Sequence, residues 1–435
     1  MSARETALSV LLSCRQQGAW CNAALKEYIS RDKLDRRDAA LATRLAYGVL
    51  QNRNKLDFYL AQLLTGKGKD LHPMVRDIVH LGLYQIYEMD KIPASAAVNE
   101  AVALAKKYCK KQRYAPGLVN AVLRSAVQTK GKLKEPRSYV DKYSHPQKLV
   151  DLLKENVGKD RLERMLQADN AQPSTTIQVN TRRITASALA EMLAAEGVET
   201  QPHGWMENCL VLRGTGSLEK LPSFRNGLYY VQDPAAKLSV LCAGIRPGDR
   251  LLDCCAAPGG KSFAAAVAGA GQIISCDVHA HKTALIENGA RRLGIENLGA
   301  RQQDATVFVP EWERAMDAVI ADVPCSGYGI IRKKPDIREK DPDTMLELPA
   351  LQLQILKNQS CYVKPGGVLL YSTCTVLKRE NEDVVAAFLA ENKDFRLEKL
   401  PLPAVFPENE SGMLTLIPGE YDTDGFFIAK LRRNV

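Results

Sequence analysis

Two cysteines occupy positions that suit a reactive thiol. Cys374 follows the apolar run GVLLYST, and Cys325 follows AVIADVP, so each is expected where a strand ends. A cysteine that only packs a core behaves as a small hydrophobe and more often lies within such a run. A thiolate at a strand end can instead attack an electrophilic carbon and form a covalent intermediate. Asp322, three residues before Cys325, is a candidate acid for the same site, provided that it carries a proton.

A loop of small residues forms a second candidate site. It closes the run RLLDCC, opens a helix and consists of Cys255, Ala256, Ala257, Pro258, Gly259, Gly260 and Lys261. Free N–H groups at a helix start can receive a polar or anionic ligand. A phosphate loop would need glycine at position 255, and a dinucleotide loop would need GxGxxG, which the sequence lacks. S-adenosylmethionine has no phosphate and needs only a tight turn, so this loop favours it.

Two aspartates follow further expected strands. Asp277 ends the run QIISCDV, where a carboxylate can accept both ribose hydroxyls of a nucleoside. Asp304 comes after RQQ, at the expected end of a third strand and near the adenine position. A strand-end aspartate can also serve only as a helix cap, and that alternative stays open for both residues.

The elements that must position these residues alternate between strand and helix. From about residue 248 the expected strands are RLLDCC, QIISCDV, AVIADVP, GVLLYST and FFIAKL, with helical stretches between them. This alternation predicts a doubly wound α/β sheet, in which ligands bind at the carboxyl ends of the strands. We therefore expect a Rossmann-like α/β domain over residues 234–435.

The preceding residues predict a multidomain chain. Ala7, Val10, Leu11 and Cys14 fall on one helical face, and similar patterns recur, so residues 1–135 are expected to be an all-α domain. Residues 136–172 are expected to be a linker and helical connector. Residues 173–233 contain the β-rich runs TTIQVNTRRIT, CLVLRG and GLYYVQD around one helix, and this pattern predicts a small α+β, RRM-like insert.

Charge is concentrated at the N-terminal end. The net charge is +9, but residues 1–140 hold 24 basic and 12 acidic side chains, whereas the remaining residues hold 35 and 38. Much of the excess lies between Lys106 and Arg137. A localised basic face is typical of nucleic-acid binding, although a solvated charged helix is the alternative.

The remaining composition limits the class of protein. The eleven cysteines are scattered without a CxxC pair, so no zinc site is expected. No apolar run approaches the roughly 20 residues of a membrane span. The N-terminus lacks a small-residue cleavage site, so we expect no signal peptide and a cytoplasmic protein.

Several motifs together resemble a known family. DxCAAPGGK, DVPCSG, YSTCT and the terminal GFFIAKL resemble the RNA cytosine-5 methyltransferases, and IRKKPDI and VQDPAA (231–236) extend the resemblance. The helical N-terminal part resembles the NusB-like domain of the bacterial subfamily that methylates small-subunit (16S) ribosomal RNA, methyltransferase B (Sun/Fmu). The resemblance covers essentially the whole chain.

This resemblance implies a reaction and a role for each candidate residue. C5 of cytosine is a poor nucleophile. Addition of a thiolate to C6 converts the ring to an enamine, and C5 can then attack the methyl group of S-adenosylmethionine. Cys374 would be the nucleophile and Cys325 the product-release residue. The cofactor would lie on Cys255 through Lys261, with its ribose at Asp277, its adenine at Asp304, and its sulfonium and the target base near Asp322. Independently of the resemblance, we expect naked RNA or an early assembly intermediate as the substrate, a monomeric enzyme and no bound metal.

Some alternatives stay open. DNA cytosine-5 methyltransferases use the cysteine of a Pro-Cys motif, which makes Cys325 the rival nucleophile. Arg332 and Lys333 follow that motif and are either substrate contacts or part of a solvated loop. Lys334 replaces a frequent histidine, and Val323 and Tyr328 replace frequent alanine and threonine, which leaves fine substrate contacts open. A transfer-RNA cytosine-5 methyltransferase shares this machinery. A non-enzymatic RNA-binding or antitermination factor is disfavoured by the intact cofactor loop and both cysteines.

Overall fold

The chain forms two compact units. A computed structural model describes residues 1–17, 19–64 and 71–435. Gly66 and Gly68, whose spacing predicts a break between helices, lie outside these ranges. Unit 1 comprises residues 1–155, 166–171 and 331–341, and unit 2 comprises residues 156–165, 172–330 and 342–435. In the described ranges, every helix is too short or too polar to cross a membrane.

The N-terminal part of unit 1 is helical, as its apolar periodicity predicts. In the first helix Ala7, Val10 and Leu11 are fully buried and Cys14 is half-buried, so the predicted face is the one that packs. The helices are α1 (Ala3–Gln17), α2 (Cys21–Arg31), α3 (Arg36–Gln51), α4 (Arg53–Leu63), α5 (Pro73–Glu88), α6 (Ala94–Tyr108), α7 (Ala115–Gln128) and α8 (Tyr139–Tyr143). Two connecting helices follow, α9 (Gln147–Val157) and α10 (Lys159–Asn170).

Residues 331–341, which the sequence pattern places in the α/β domain, belong to unit 1. Arg338 anchors them there, since its side chain is completely buried. Its guanidinium donates to four backbone carbonyls and one side-chain oxygen: Gln51 O at 2.9 Å, Ser144 O at 3.2 Å, Tyr143 O and Asp169 O at 3.3 Å, and Asn170 Oδ1 at 2.9 Å. Burial lowers the pKa of Arg338 to about 10, so it remains a cation at neutral pH.

The predicted α+β insert contains the first four strands of the chain, which form a sheet of their own. Its elements are β1 (Thr175–Val179), α11 (Ala186–Ala195), β2 (Glu199–Pro202), β3 (Cys209–Arg213), α12 (Pro222–Arg225) and β4 (Tyr229–Val231). The strands are antiparallel in the order β2-β3-β1-β4. Alternation of apolar residues in β1 places Ile177 and Val179 against Leu189 and Leu193 of α11, which closes a small separate core.

The α/β part of unit 2 is a mixed sheet with helices between its strands. Its elements are α13 (Pro234–Ala243), β5 (Arg250–Asp253), α14 (Gly260–Val267), β6 (Gln272–Asp277), α15 (Ala280–Leu293), β7 (Leu298–Gln302), β8 (Met316–Asp322), α16 (Leu348–Ser360), β9 (Val363–Thr373), α17 (Glu382–Glu391), β10 (Phe395–Leu397), β11 (Met413–Leu416) and β12 (Phe426–Arg433). The strand order is β10-β12-β9-β8-β5-β6-β7, with β11 beside β12.

Strands β5 to β9 are parallel, and β10 to β12 add antiparallel partners at one edge. The central strands are apolar because both of their faces are covered, as in β8, where Ala318, Val319, Ile320 and Ala321 are all buried. The chain passes from β5 outward to β7 and then returns to β8 on the other side of β5. This reversal places the switch point between β5 and β8, where the sheet opens at its carboxyl edge.

Candidate active site

The residues predicted to take part in the reaction lie at the carboxyl edge of the large sheet. Strand β5 ends at Asp253 and its neighbour β8 ends at Asp322, so the two sides of the switch point each carry an aspartate. Strand β9, next to β8, ends one residue before Cys374. The fold therefore brings together the small-residue loop, the Pro-Cys segment and the segment with Cys374, as the strand-end pattern predicts.

The small-residue loop leaves no room for larger side chains. Gly259 has a φ of +110°, and a Cβ built on it would lie 2.4 Å from the Phe263 ring. Gly260 begins α14, and a Cβ there would lie 3.1 Å from Gln232 Nε2. The two glycines let the backbone form a tight turn at the start of a helix, which is the geometry expected for close approach of a ligand to main-chain atoms.

Asp253, at the end of β5, is hydrogen-bonded to the helix that follows this loop. Its carboxyl group is completely buried, and Oδ2 accepts a hydrogen bond from Ser262 Oγ at 2.7 Å. Ser275 Oγ in turn donates to Ser262 Oγ at 2.7 Å, which links β5, α14 and β6. Burial raises the pKa of Asp253 from 3.8 to about 7, although the Ser262 hydrogen bond opposes that rise. Asp253 was not among the residues predicted from the sequence, although its place at a strand end is a signal for a site residue.

Lys261 joins the loop to the Pro-Cys segment. Its Nζ lies 2.6 Å from Asp322 Oδ2, and Ser372 Oγ donates to Asp322 Oδ1 at 2.8 Å. Burial alone would lower the pKa of Lys261, but the neighbouring Asp322 carboxylate raises it overall, so the side chain is an ammonium ion. Cys374 also contributes to this rise, which places the ammonium within electrostatic range of that thiol.

The two candidate cysteines are adjacent. Their Sγ atoms are 3.1 Å apart, and the backbone N–H of Cys374 donates to Cys325 Sγ at 3.3 Å. The hydrogen bond with Cys374 raises the pKa of Cys325 well above its ordinary value, and burial adds to the rise. The two sulfur atoms are close enough to share one proton, with either of them as the donor.

A buried polar cluster fixes both cysteine segments. Glu380 is completely buried, and its Oε2 accepts hydrogen bonds from Ser326 N at 2.9 Å and Gln352 Nε2 at 3.0 Å. The Tyr371 hydroxyl donates to Glu380 O at 2.6 Å, and Ser326 Oγ lies 2.8 Å from Thr375 Oγ1. Sequence reasoning missed Glu380, because the run KRENED in which it lies is typical of an exposed helix start.

Asp277 and Asp304 lie at the ends of β6 and β7, as expected. Asp277 is 7% exposed, and its Oδ1 accepts the His279 N–H at 3.0 Å. Asp304 is exposed, and its Oδ1 accepts from Thr306 N at 2.8 Å and Thr306 Oγ1 at 2.7 Å. Those hydrogen bonds lower the pKa of Asp304, so it is an anion at neutral pH. Neither contact is a helix cap, because the N-cap of α15 is His279 and the next helix after Asp304 begins only at Pro310.

Arg332 and Lys333 lie in the part of the chain that unit 1 contains. Arg332 is only 8% exposed and Lys333 is half-buried, so neither is in a freely solvated loop. Their role as substrate contacts stays a prediction.

Three family models match successive parts of the chain. The NusB family model matches residues 1–128, a ferredoxin-like domain of the RsmF/B-like methyltransferases matches residues 145–219, and the model for 16S rRNA methyltransferase RsmB/F matches residues 241–432.

Relatives that match nearly the whole chain are named as ribosomal RNA small subunit methyltransferases. The chain is 34% identical to the probable ribosomal RNA small subunit methyltransferase B of Bacillus subtilis, over 99% of both chains. It is 32% identical to the ribosomal RNA small subunit methyltransferase B of Pseudomonas putida, over 99% of this chain and 98% of the relative. Among solved structures, PH0851 has the same fold, with a TM-score of 0.81, 24% identity and 98% coverage of both chains. A methyltransferase homologue from Pyrococcus horikoshii is 26% identical with a TM-score of 0.59, over 68% of this chain and 97% of that one.

A doubly wound sheet with a small-residue loop at its switch point, joined to a NusB-like helical domain and a ferredoxin-like insert, defines an RNA-modifying methyltransferase. The predicted enzyme class and fold class are thus confirmed. More particularly, the chain belongs to the RsmB/F family of 16S rRNA methyltransferases.

Proposed function

We propose that this enzyme transfers a methyl group from S-adenosylmethionine to C5 of a cytosine in 16S ribosomal RNA, through a covalent bond between Cys374 Sγ and C6. The observation that carries the proposal is the contact of two thiols, 3.1 Å apart, beside the Lys261–Asp322 ion pair at the switch point. A base held against this group would meet a nucleophile, a proton carrier and a cation together.

The residues at the loop fit the cofactor. Gly259 and Gly260 form a tight turn at the start of α14 that a ligand can approach closely, and Asp277 offers carboxylate oxygens for ribose hydroxyls. We propose that residues 255–261 hold the methionine part, with Asp277 at the ribose and Asp304 at the adenine. When bound, S-adenosylmethionine supplies an electrophilic methyl group on a sulfonium centre.

Cys374 is the better nucleophile of the pair. The raised pKa of Cys325 keeps its proton on sulfur, and that S–H can donate to Cys374. The Lys261 ammonium lies within electrostatic range of Cys374. Cys374 is therefore the sulfur that forms the bond to C6, and Cys325 is the thiol that stays free.

As the S–C6 bond forms, electron density moves from the ring double bond toward N3. The Lys261 ammonium, held 2.6 Å from Asp322 Oδ2, can donate a hydrogen bond or a proton to N3. After methylation, Cys374 is a thioether and no longer holds the Cys325 proton by its charge. Cys325 can then lose that proton to solvent and take the C5 proton. The C5–H electrons re-form the C5–C6 double bond as the Cys374 thiolate leaves.

The helical domain supplies the RNA contacts in this proposal. Lys106, Lys107, Lys110, Lys111 and Arg113 are exposed on one short stretch. Phosphate contacts from such residues give affinity and orientation but no sequence information. The target base must leave its stack to reach the thiols. A free ribosomal RNA or an early assembly intermediate, bound by one copy of the enzyme, meets these requirements.

The decisive experiment follows labelled methyl transfer to unmethylated 16S ribosomal RNA on a denaturing gel. We expect label on RNA with wild type, none with Cys374→Ala, and a slow-moving protein–RNA adduct with Cys325→Ala, because release then lacks its proton acceptor. Cys361→Ala is the matched control, since Cys361 is an exposed thiol on the same unit.

Two results would contradict the proposal. Full activity of Cys374→Ala together with loss in Cys325→Ala would make Cys325 the nucleophile. Transfer to transfer RNA but not to ribosomal RNA would keep the mechanism and overturn the substrate. Cofactor binding by each variant, measured by calorimetry, separates a chemical defect from a folding defect.

A further inference from the structure

The geometry points to a second functional site, a Zn²⁺ site formed by Cys14, Cys21 and Asp336. Cys14 lies in the last turn of α1, Cys21 is the first residue of α2, and Asp336 lies in the short 3₁₀ helix Pro335–Glu339. One sulfur from each cysteine and one carboxylate oxygen all lie within 4.8 Å of one another. All three residues belong to unit 1.

Existing contacts already aim these groups at one point. The backbone N–H of Cys21 donates to Asp336 Oδ1 at 3.2 Å, and the Cys14 thiol lies close enough to interact with both Cys21 and Asp336. Ligands of a tetrahedral Zn²⁺ lie about 2.3 Å (sulfur) and about 2.0–2.2 Å (oxygen) from the metal, which separates them by roughly 3.5–3.8 Å. Side-chain rotations that move the ligand atoms by a few tenths of an ångström to one ångström are therefore enough to close the group around an ion.

The donor set selects the class of metal. Two soft thiolates disfavour Mg²⁺ and Ca²⁺, which take oxygen ligands, and the carboxylate disfavours Cu⁺, which prefers sulfur alone. Zn²⁺ accepts both, with water as the fourth ligand beside the half-buried Cys14 and Asp336.

The surrounding charge fits an occupied site. Two thiolates and a carboxylate around Zn²⁺ leave one negative charge. Lys340 lies close enough to interact electrostatically with Asp336, and its ammonium lies 4.1 Å from the Trp20 ring centroid, next to Cys21. This cation offsets the residual charge.

Such a site would bind the 331–341 segment to the first two helices. Its ligands follow a C-x6-C spacing, and the third is more than 300 residues further along the chain. No zinc site was expected because the sequence lacks a CxxC pair. A short spacing pattern cannot indicate a site whose third ligand is so distant along the chain. Metal binding here holds the residues that follow the Pro-Cys motif against the first two helices of unit 1, and it does not depend on the proposed reaction.

The test uses the full chain, reduced and treated with a chelator, and titrates it with Zn²⁺ and with Co²⁺. We expect one ion per chain and a thiolate-to-cobalt charge-transfer band. Asp336→Asn keeps the oxygen that accepts the Cys21 N–H but loses the charge, so the fold should hold while affinity falls. The fall should exceed the roughly 10- to 100-fold that is lost when only a group supporting a ligand is changed. Cys14→Ser should halve the charge-transfer intensity, and Cys361→Ser should change nothing.

The catalytic thiols are the competing metal site, so Cys325→Ser/Cys374→Ser is titrated in parallel. Retained Zn²⁺ in that double variant, with weaker binding by Asp336→Asn and half the charge-transfer intensity in Cys14→Ser, supports the site. Loss in the double variant, no binding by the fully reduced wild type, or unchanged affinity in Asp336→Asn would each overturn it. Circular dichroism of each variant excludes unfolding as the reason for a loss. Zn²⁺ should also raise the melting temperature of the wild type but not of Asp336→Asn.

Discussion

Replacing Arg338 by alanine should destabilise unit 1 strongly. Each hydrogen bond from a charged donor contributes about 1.5–3 kcal/mol, and the guanidinium makes five, two of them long at 3.3 Å. Against this, the fall in the pKa of Arg338 from 12.5 to about 10 implies that burial costs the cation roughly 3 kcal/mol. Removing the side chain leaves buried carbonyls without a donor, and the net loss should be about 3–5 kcal/mol.

Scanning calorimetry of the full chain measures this loss. For a unit of this size a loss of 1 kcal/mol lowers the melting temperature by about 2–4 °C, so the unit 1 transition should fall by roughly 6–20 °C. Arg338→Met should be less harmful than Arg338→Ala because it fills the space. Arg113→Ala, an exposed arginine in the same unit, should stay within about 0.5 kcal/mol of wild type. A melting curve of Arg338→Ala that matches that of Arg113→Ala would refute the argument.

Two further predictions concern the α/β unit. Asp277→Ala should weaken S-adenosylmethionine binding by about 1–3 kcal/mol, because polar partners of the carboxylate would stay unpaired, and an unchanged dissociation constant by calorimetry would contradict this. Burial raises the pKa of Asp253 from 3.8 to about 7, so the folded chain holds this proton more tightly than the unfolded chain. Stability should therefore fall as pH rises through that interval, and in Asp253→Asn this part of the fall should vanish. Denaturant unfolding at about pH 5 and about pH 8 measures it, and equal slopes for both proteins would disprove the assignment.

Much of the fold could be predicted from the sequence because its signals are local. Buried strands such as AVIADVP and helix faces such as Ala7, Val10 and Leu11 show their periodicity within a few residues. Strand-end positions of Cys325 and Cys374 predicted that they would share one edge of the sheet, and the structure places their sulfur atoms in contact.

The remaining features depend on contacts between distant residues. Glu380 looks like an exposed residue in its own segment, and only the fold places Ser326 and Gln352 around it. Likewise, the sequence around Arg338 does not indicate that carbonyl groups some 170 to 290 residues earlier in the chain surround its side chain. Local patterns carry no information about such pairings, since each partner has an ordinary context of its own.

The capture of Arg338 by the helical unit has a consequence for biosynthesis. A growing chain emerges from its N-terminus, and domains generally fold as they emerge. Here the acceptors around Gln51 and Tyr143 must wait until residue 338 has been made, together with the intervening insert and the first four strands of the large sheet. The first helices to appear are thus completed by one of the later segments. Nascent chains arrested before residue 331 should carry an unfinished helical unit, and translation past that point should act as the step that locks it.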